Sequence, residues 1–368
     1  MNRLPALLIL VLILSPGCRK STNNAIWERS YGSGTAMFVR ATADSGLISC
    51  GELGGKPYLI KLDKNRNKLS DYKYSGDGLF SSVWFNNDLS IAAGNTNGKM
   101  LITCLNKQDS LLWDTTFSAS YYMDYSSVCN LGGNELFVVG SSRPDSLQSR
   151  VTGLYCVWLN TSGSIINKKE LKETSFISAN RVITDNSGNI YFALTRKYTG
   201  SKSKASVAKY DSQLQPMWET ELYNNPDFGA SSLGIWIDNT GNIYVCGKTE
   251  LSSSSGSVDN SFSVSLTNNG SIIWKKYLEA TNSGSSLLID ENGHVLMLNH
   301  NCFVVNILNS VDGTETGTIR TFSGCDSKNT DTFGQDFDIN FDGNIILAGS
   351  NSGGFYLGLK PPVLEQTQ

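Results

Sequence analysis

The stretch Asp238-Asn239-Thr240-Gly241-Asn242-Ile243-Tyr244-Val245-Cys246-Gly247-Lys248-Thr249 joins a polar turn to a short apolar strand. Asn and Gly tolerate the positive φ angles that tight hairpins need, and the apolar residues that follow suit a buried strand. Weaker copies of this stretch recur along most of the 368 residues. The stretch therefore predicts a repeat protein built from β-hairpins.

A second marker sets the length of the repeat. It is an outer strand that begins with an aromatic residue and reaches an apolar residue four positions later, as Trp113 and Phe117 do. The apolar anchors of the seven copies are Tyr31, Tyr74, Phe117, Leu171, Leu222, Leu278 and Phe322. They are separated by 43, 43, 54, 51, 56 and 44 residues, a spacing typical of four-stranded propeller blades. We expect an all-β, seven-bladed β-propeller with four antiparallel strands in each blade.

Strand positions in the first and last repeats predict how the ring closes. The first repeat has strand patterns at 36–42, 47–52, 57–62 and 68–74, whereas the last has three, at 337–341, 345–350 and 355–360. Residues 27–31 form a fourth-strand pattern with no repeat of their own. We expect this N-terminal strand to pair with 355–360 and to close the ring, because closure protects open sheet edges.

The turn and strand together resemble a known bacterial repeat. Asp238, Gly241, Asn242, Ile243 and Tyr244, with the residues after them, match the beta-propeller repeat of the seven-bladed, SBBP-like type, and Lys61-Leu62-Asp63 matches a later part of that repeat. The resemblance covers nearly all of the chain after the N-terminal segment. It implies a propeller fold but no particular function, because propellers serve as binding proteins, scaffolds and enzymes.

The N-terminus has the pattern of an export signal. Arg3 precedes an apolar run at 4–14, which is too short to span a bilayer and has the proportions of a signal-peptide core. The run ends Leu14-Ser15-Pro16-Gly17-Cys18, which resembles the lipobox of bacterial lipoproteins, although Leu stands one position further from the Cys than usual. We expect Cys18 to carry a lipid such as palmitate. The alternative is that Cys18 lies by chance near an ordinary secretory cleavage site.

These patterns divide the chain into four parts. We expect a lipoprotein signal peptide at 1–17, a lipid-anchored tether at 18–26, the propeller at 27–360 and a C-terminal tail at 361–368. The expected location is the bacterial cell envelope, anchored to the outer membrane. Arg19-Lys20-Ser21-Thr22 has no acidic pair of the kind associated with surface export, which favours the inner face of that membrane.

Charge and cysteine content narrow the possible partners. The net charge of −3 is spread without basic blocks, so we expect no nucleic-acid partner. We also expect a monomer. Cys50, Cys104, Cys156 and Cys246 lie inside apolar runs and are expected to be small buried side chains. Cys302 with Cys325 is the candidate disulfide, and we expect no cofactor and no metal site.

Candidate binding residues fall in three long segments between second and third strands, at 141–153, 195–205 and 248–261. In propellers these loops share one face with the connections between blades. The candidate residues are a basic cluster in the second of these segments and, on the same face, three tyrosines in the connection that enters the third blade: Arg196, Lys197, Lys202, Lys204, Tyr121, Tyr122 and Tyr125. The alternatives are tolerated surface insertions for the loops and core packing for the tyrosines.

Function is predicted only by class. We expect a membrane-anchored, non-catalytic module that binds a protein or carbohydrate through the loop face. The alternatives are a polysaccharide hydrolase or lyase with a carboxylate and Tyr site in the central funnel, and a structural subunit of an envelope complex. Acids beside an Arg in the funnel would favour the enzyme, and an apolar aromatic patch would favour the binding module. His294 and His300 are expected on opposite sides, so no catalytic residue is predicted.

Overall fold

The computed structural model describes residues 27–119, 123–142, 152–173, 176–197, 202–223, 229–253, 256–278, 284–300, 303–320 and 332–361. The described chain is all-β. Its strands, in chain order, are β1 Trp27–Ala41, β2 Leu47–Leu53, β3 Pro57–Leu62, β4 Lys68–Lys73, β5 Gly78–Phe85, β6 Leu89–Thr96, β7 Lys99–Asn106, β8 Leu111–Phe117, β9 Met123–Gly132, β10 Glu135–Ser142, β11 Thr152–Asn160, β12 Ile165–Glu173, β13 Phe176–Thr184, β14 Ile190–Lys197, β15 Ser203–Tyr210, β16 Pro216–Tyr223, β17 Gly229–Ile237, β18 Ile243–Ser253, β19 Gly256–Leu266, β20 Ile272–Leu278, β21 Gly284–Ile289, β22 His294–Asn299, β23 Val304–Asn309, β24 Glu315–Arg320, β25 Thr332–Ile339, β26 Ile345–Asn351 and β27 Gly354–Lys360.

The strands form a propeller-like array of about seven blades. Blades two to six are four-stranded antiparallel sheets, made of β5–β8, β9–β12, β13–β16, β17–β20 and β21–β24. A seven-stranded sheet, in the order β25-β26-β27-β1-β2-β3-β4, holds blade seven and blade one together. First strands of successive sheets contact each other from β1 and β5 through to β21 and β25. The innermost strands therefore lie around a common centre.

Strand β1 serves two blades. Residues 27–31 were expected to be separate from the strand at 36–42, but the structure has one continuous strand of 15 residues. Trp27 pairs with Leu359 of β27, which confirms the predicted pairing of the two chain ends. After an irregularity between Ser30 and Ser33, Gly34 pairs with Leu53 of β2 instead. The N-terminal strand thus completes blade seven before it begins blade one.

The apolar core lies in layers between neighbouring blades. Phe137 and Trp158 of blade three pack edge to face, with ring centroids 5.1 Å apart, and Phe137 also meets Phe192 of blade four at 6.0 Å. Side chains of successive sheets interdigitate in this way around the array. Each blade therefore depends on its neighbours to bury its faces.

The cysteines in apolar runs are confirmed as buried, free side chains: Cys50, Cys104, Cys156 and Cys246, with Cys129 buried as well. Burial raises the pKa of the Cys104 thiol to about 11 and that of Cys246 to about 12. Such thiols stay protonated and unreactive at neutral pH. The candidate disulfide of Cys302 and Cys325 lies outside the described residues.

The turn that opens the repeat is held by its aspartate. Asp238 accepts hydrogen bonds from the backbone N–H groups of Thr240 at 2.8 Å and Asn242 at 2.9 Å, and from the Tyr244 hydroxyl at 3.2 Å. Asp185 makes the same contacts one blade earlier. The predicted turns between first and second strands are therefore confirmed, and each is fixed by a side chain that mimics a backbone acceptor.

A Gly recurs at the end of the second strand in several blades, where it allows two backbones to approach closely. A Cβ on Gly247 would lie 2.0 Å from the carbonyl oxygen of Ser231 in the first strand of the same blade. That strand bulges directly after this point, between Ser232 and Gly234. The close approach is thus between two strands of one blade at a bulge, and not between neighbouring blades.

The aromatic residue that marks the outer strand joins adjacent blades. The indole N–H of Trp218 in blade four donates to the carbonyl oxygen of Asn268 in blade five at 3.1 Å. Trp113 donates to Thr161 at 3.2 Å and Trp274 donates to Ser310 at 2.8 Å, each in the turn between the third and fourth strands of the next blade. The marker is therefore a contact between blades as well as an anchor within one.

Replacing Gly270 with Ala should weaken this contact. Gly270 has a φ of +85°, and a Cβ there would lie 2.8 Å from the Trp218 ring. Gly133→Ala is the matched control, because Gly133 has a φ of +56° and nothing within 4 Å of its Cβ position. We expect about 1 kcal/mol of destabilisation for the control and about 1–3 kcal/mol more for Gly270→Ala, measured by urea unfolding. Equal losses would mean that the ring contact is unimportant.

Two strand boundaries differ from those expected. The segment 248–261 was expected to be a long loop, but its residues continue the β18–β19 hairpin, with Lys248 opposite Ser261 and Ser253 opposite Gly256. Hairpin extension satisfies backbone groups that an irregular loop would leave to water. The first strand of the last blade was expected to reach Phe341, but β25 ends at Ile339 and Phe341 lies in the turn that follows.

Candidate functional site

The array has two faces that differ in their connections. We call one the turn face: it carries the turns between first and second strands and those between third and fourth strands, as where Arg66 donates to the carbonyl oxygen of Ser45 at 3.0 Å. The other, the loop face, carries the remaining loops and the connections between blades. There the Gly78 N–H donates to the carbonyl oxygen of Gly55 at 2.9 Å, which ties a connection to a loop. The predicted sharing of the loop face is therefore confirmed.

On the loop face, the predicted basic cluster is partly neutralised. Arg196 donates from Nε and Nη2 to both oxygens of Glu219, at 2.8 and 2.9 Å. Lys204 lies 3.1 Å from Glu221, on the same outer strand. Lys197 and Lys202 are exposed. Two of the four predicted cationic groups are thus paired within blade four, which weakens the cluster as an anion site.

The structure describes one of the three predicted tyrosines. Tyr125 is half-buried in β9, where it pairs with Ser141, while Tyr121 and Tyr122 lie outside the described residues. The two histidines stand at opposite ends of β22, and five residues of extended strand separate them by about 20 Å. His294 contacts Asp290 on the turn face, and His300 stacks on Phe333 with ring centroids 5.1 Å apart. They cannot act on one substrate atom.

The centre of the array holds a buried ion-pair cluster. Asp336 of β25 is fully buried, and its Oδ2 accepts from Arg40 Nη1 of β1 at 2.7 Å. Its Oδ1 accepts from Arg181 Nη2 of β13 at 3.2 Å and from the Ser286 hydroxyl of β21 at 2.5 Å. Arg181 lies in blade four, so it reaches across the centre to blade seven. The cluster therefore ties four blades together.

The cluster is arranged to keep Asp336 charged. Burial alone would raise the pKa of this carboxyl, but the guanidinium groups of Arg181 and Arg40 and the hydroxyl of Ser286 outweigh burial and hold its pKa below the ordinary value. The ring of Phe38 lies 4.1 Å from the Arg40 guanidinium carbon and 5.1 Å from that of Arg181. Both cations therefore have an aromatic face as well as a carboxylate partner.

A second acid lies between this cluster and the turn face. Asp338 accepts a hydrogen bond from the Ala41 N–H at 2.8 Å, and burial raises its pKa although Arg40 lowers it. Asp338 and Ala41 also line a cavity that opens at the turn face. The charged centre and the cavity are therefore adjacent.

The cavity, of about 860 Å³, lies between blades six and seven. Its walls include five buried aliphatic side chains. Each strand of blade six supplies one and blade seven supplies the fifth: Leu288, Leu296, Ile307, Ile319 and Ile345. Trp236 of blade five also lines it, and Phe341, 73% exposed, stands at its edge. A volume of this size and an apolar wall are typical of ligand sites.

Two ordered turns form the polar rim. Asp290 accepts from the N–H groups of Asn292 at 2.9 Å and His294 at 2.8 Å, and Asn340 accepts from the N–H group of Asn344 at 2.8 Å. The lining also includes Glu291, exposed at the tip of the blade-six turn, as well as Asp338. No Lys or Arg is among the lining residues in the described part of the chain. The rim is thus acidic and its turns are fixed by their own side chains.

This arrangement suits binding of an apolar group beside a cationic one. It was not predicted from the sequence, which directed attention to the opposite face. One signal was present: Phe341 occupies a turn position where the matching residues of earlier repeats are polar, Asn186, Asn239 and Glu291. An exposed aromatic residue beside a cavity can serve as an anchor for a partner.

Comparison with known proteins gives the fold and no family. No family model matches the chain, and no curated protein matches it. Among solved structures, the WD40 domain of Neurospora crassa Pan2 matches with a TM-score of 0.63 and 12% identity over 91% of this chain and 92% of that one. The β-propeller domain of Cps50 (Swd1) from Myceliophteria thermophila matches with a TM-score of 0.58 and 10% identity, over 92% and 99% of the two chains.

An enzyme shares the same fold. The polysaccharide lyase Uly1 matches with a TM-score of 0.57 and 9% identity, over 89% of this chain and 90% of that one. At such identities the likeness shows a β-propeller fold alone. Within the described residues, no three His, Cys, Asp or Glu side chains are grouped to hold a metal ion, and no helix has the length and apolar character to cross a membrane.

Proposed function

We propose that the chain is a non-catalytic binding module that holds a protein partner in the cavity between blades six and seven. The observation that carries the proposal is the cavity itself, with aliphatic walls, an acidic rim and Phe341 73% exposed beside it. Protein interfaces are typically anchored by a few aromatic or apolar side chains that fill pockets within a polar surround. A free monosaccharide unit would find little hydrogen bonding along the aliphatic wall, which favours a protein.

The scaffold that we propose is a closed seven-bladed ring. Support comes from the pairing of β1 with β27 and from the contacts between first strands around the centre. A closed ring has no open sheet edge and holds its turns rigidly. Rigid turns would present the cavity to a partner with little loss of conformational entropy.

Export and lipid anchoring complete the proposal. The apolar run at 4–14 and Cys18 support a lipoprotein of the bacterial outer membrane that faces the periplasm. Metabolic labelling with a palmitate analogue tests the anchor: label on the wild type that is lost in Cys18→Ser supports it. Equal labelling of the two chains, or none on either, would contradict it.

The funnel acids do not favour the polysaccharide enzyme. Asp336 beside Arg40 and Arg181 is the acid-and-Arg arrangement that would point to catalysis, but Asp336 is fully buried and both of its oxygens are occupied by ion pairs and hydrogen bonds. Its lowered pKa makes it a poor general acid at neutral pH. We therefore propose a structural role for this cluster.

Capture from envelope extract tests the binding proposal. The mature chain in mild detergent should retain a partner that Thr316→Trp fails to retain, because Thr316 is an exposed lining residue and a Trp there would fill the cavity. Asn239→Trp is the matched control, because Asn239 is exposed on the same face but does not line the cavity, and it should retain the partner. Equal capture by all three chains would contradict a role for the cavity.

A further inference from the structure

We propose that the cavity takes a basic, apolar segment of a partner protein that lies close to the membrane surface. This inference rests on the proposed function and names the chemistry of the partner. Three observations carry it: where the N-terminus enters the fold, the sign of the charge around the cavity, and the shape of its apolar wall.

The first observation is the position of the anchored end. Trp27 begins β1 opposite Leu359, one residue before β27 ends at Lys360. The third strands of the other blades end at their turns to the fourth strand, so Trp27 enters the fold at the turn face. Nine residues from 18 to 26 can span at most about 30 Å. A chain anchored at Cys18 would therefore hold the turn face, and the cavity in it, near the bilayer.

The second observation is charge. The cavity lining contains three carboxylates, those of Asp290, Glu291 and Asp338. The described lining residues also include His294 but no Lys or Arg. Asp342, exposed in the turn that bears Phe341, interacts with Arg66 of blade one and so adds little to this charge. A cluster of like charges at a cleft attracts a ligand of the opposite sign and raises its rate of association. The complementary partner is cationic.

The third observation is the wall. Leu288, Leu296 and Ile307 of blade six and Ile345 of blade seven line the cavity, where they pack in one core cluster and are each at most 5% exposed. These residues form a firm apolar base, and Phe341, 73% exposed, and the half-buried Trp236 supply accessible apolar surface on which an aliphatic or aromatic side chain of the partner can pack. A segment that combines apolar side chains with Lys or Arg would match both the apolar edge of the cavity and its acidic rim.

Fluorescence anisotropy with defined peptides tests the inference on the full mature chain. One labelled heptapeptide has leucine, phenylalanine and leucine at its centre with two lysines on each side; the second replaces every lysine with glutamate. We expect the lysine peptide to bind at least tenfold more tightly than the glutamate peptide. Phe341→Ser and Glu291→Lys should each weaken binding of the lysine peptide at least tenfold.

Two matched variants separate this site from general surface effects. Leu112→Ser removes an aliphatic side chain that is 53% exposed on the outer strand of blade two, and Glu135→Lys reverses an exposed charge at the blade-three turn of the same face. Both should change the affinity for the lysine peptide by less than twofold. Equal weakening by Glu135→Lys and Glu291→Lys would overturn the site, because the attraction would then belong to the whole face.

The remaining outcomes distinguish this inference from the proposed function. Cavity-dependent capture of an envelope protein that the lysine peptide does not displace would overturn the basic segment and leave the binding module. Binding of phosphatidylethanolamine vesicles by a Cys18→Ser chain, lost in Phe341→Ser and without lysine-peptide binding, would identify lipid as the occupant and overturn the inference. Failure of both peptide binding and cavity-dependent capture would overturn both proposals.

Discussion

Replacing Asp336 with Asn is expected to lower the free energy of unfolding by about 3–5 kcal/mol, a cost typical of removing one partner of a buried ion pair. Asp336 is fully buried; without it, Arg181, 14% exposed, would lose its carboxylate partner, and Arg40, 24% exposed, would keep only the nearby Asp338. The Val39 N–H and the Ser286 hydroxyl would also lose an anionic acceptor. Denaturant unfolding measures the effect.

The control for this variant is an exposed ion pair. Asp77 lies 3.1 Å from Lys56 and is 78% exposed, so Asp77→Asn should cost less than about 1 kcal/mol. Adding Arg181→Met to Asp336→Asn should recover part of the loss, because it removes the cation that Asp336 had paired with across the centre. A loss for Asp336→Asn no larger than that for Asp77→Asn would contradict the role of the cluster in joining the blades.

The cluster also predicts a dependence on pH. The pKa of Asp336 is lower in the folded chain than its ordinary value of about 3.9, so the folded state holds the charged form more strongly than the unfolded state does. The stabilisation that ionised Asp336 gives to the folded state is therefore fully present above about pH 4, and it is lost as the pH falls through the pKa of Asp336 in the folded chain. The difference in stability between wild type and Asp336→Asn should shrink below about pH 4.

Removing the first half of β1 is the second change with a large expected effect. A chain that begins at residue 34 lacks the strand that pairs with β27, and with it the packing of Trp27 and Tyr31 on the core that includes Phe355 and Leu359. Two partly buried aromatic rings and a row of strand hydrogen bonds suggest a loss of roughly 5 kcal/mol or more. The exposed edge of β27 should also promote aggregation.

A chain that begins at residue 27 is the matched control, because it lacks the N-terminal segment and keeps the whole of β1. Thermal unfolding and light scattering should give the same midpoint and the same monomeric size as for the mature chain. Equal stability of the chains that begin at 27 and at 34 would contradict closure of the array by the N-terminal strand.

The repeats could be predicted because their signals are local. The Asp238 turn works through hydrogen bonds to residues two and four positions later, and strand alternation is visible within six residues. The pairing of residues 27–31 with the last blade could also be inferred, since one repeat lacked a strand and one strand lacked a repeat. The continuity of β1 could not be predicted, because nothing between Tyr31 and Ala36 indicates that the chain continues as one strand without a turn.

The site could not be predicted for the opposite reason. Asp336 meets residues 296 and 155 positions away, Arg40 and Arg181, and no local pattern records a contact of that separation. The cavity is space between two blades, set by how their sheets pack, and its lining comes from four separate parts of the ring. Loop length favoured the other face, where the segment 248–261 is in fact an extended hairpin. Of the cavity lining, only Phe341 could have been noticed in the sequence, because it is an aromatic residue at a turn position that is polar in the three preceding repeats.

Site-specific photocrosslinking in intact envelopes would test the central claim most directly. Benzoylphenylalanine is placed at position 341, beside the cavity, or at position 197, where Lys197 is exposed on the loop face, and adducts are resolved by mass after illumination. We predict a discrete protein adduct from position 341 that disappears when Thr316→Trp fills the cavity, and none from position 197. A discrete adduct from position 197 with none from position 341 would contradict the account and place the partner on the loop face.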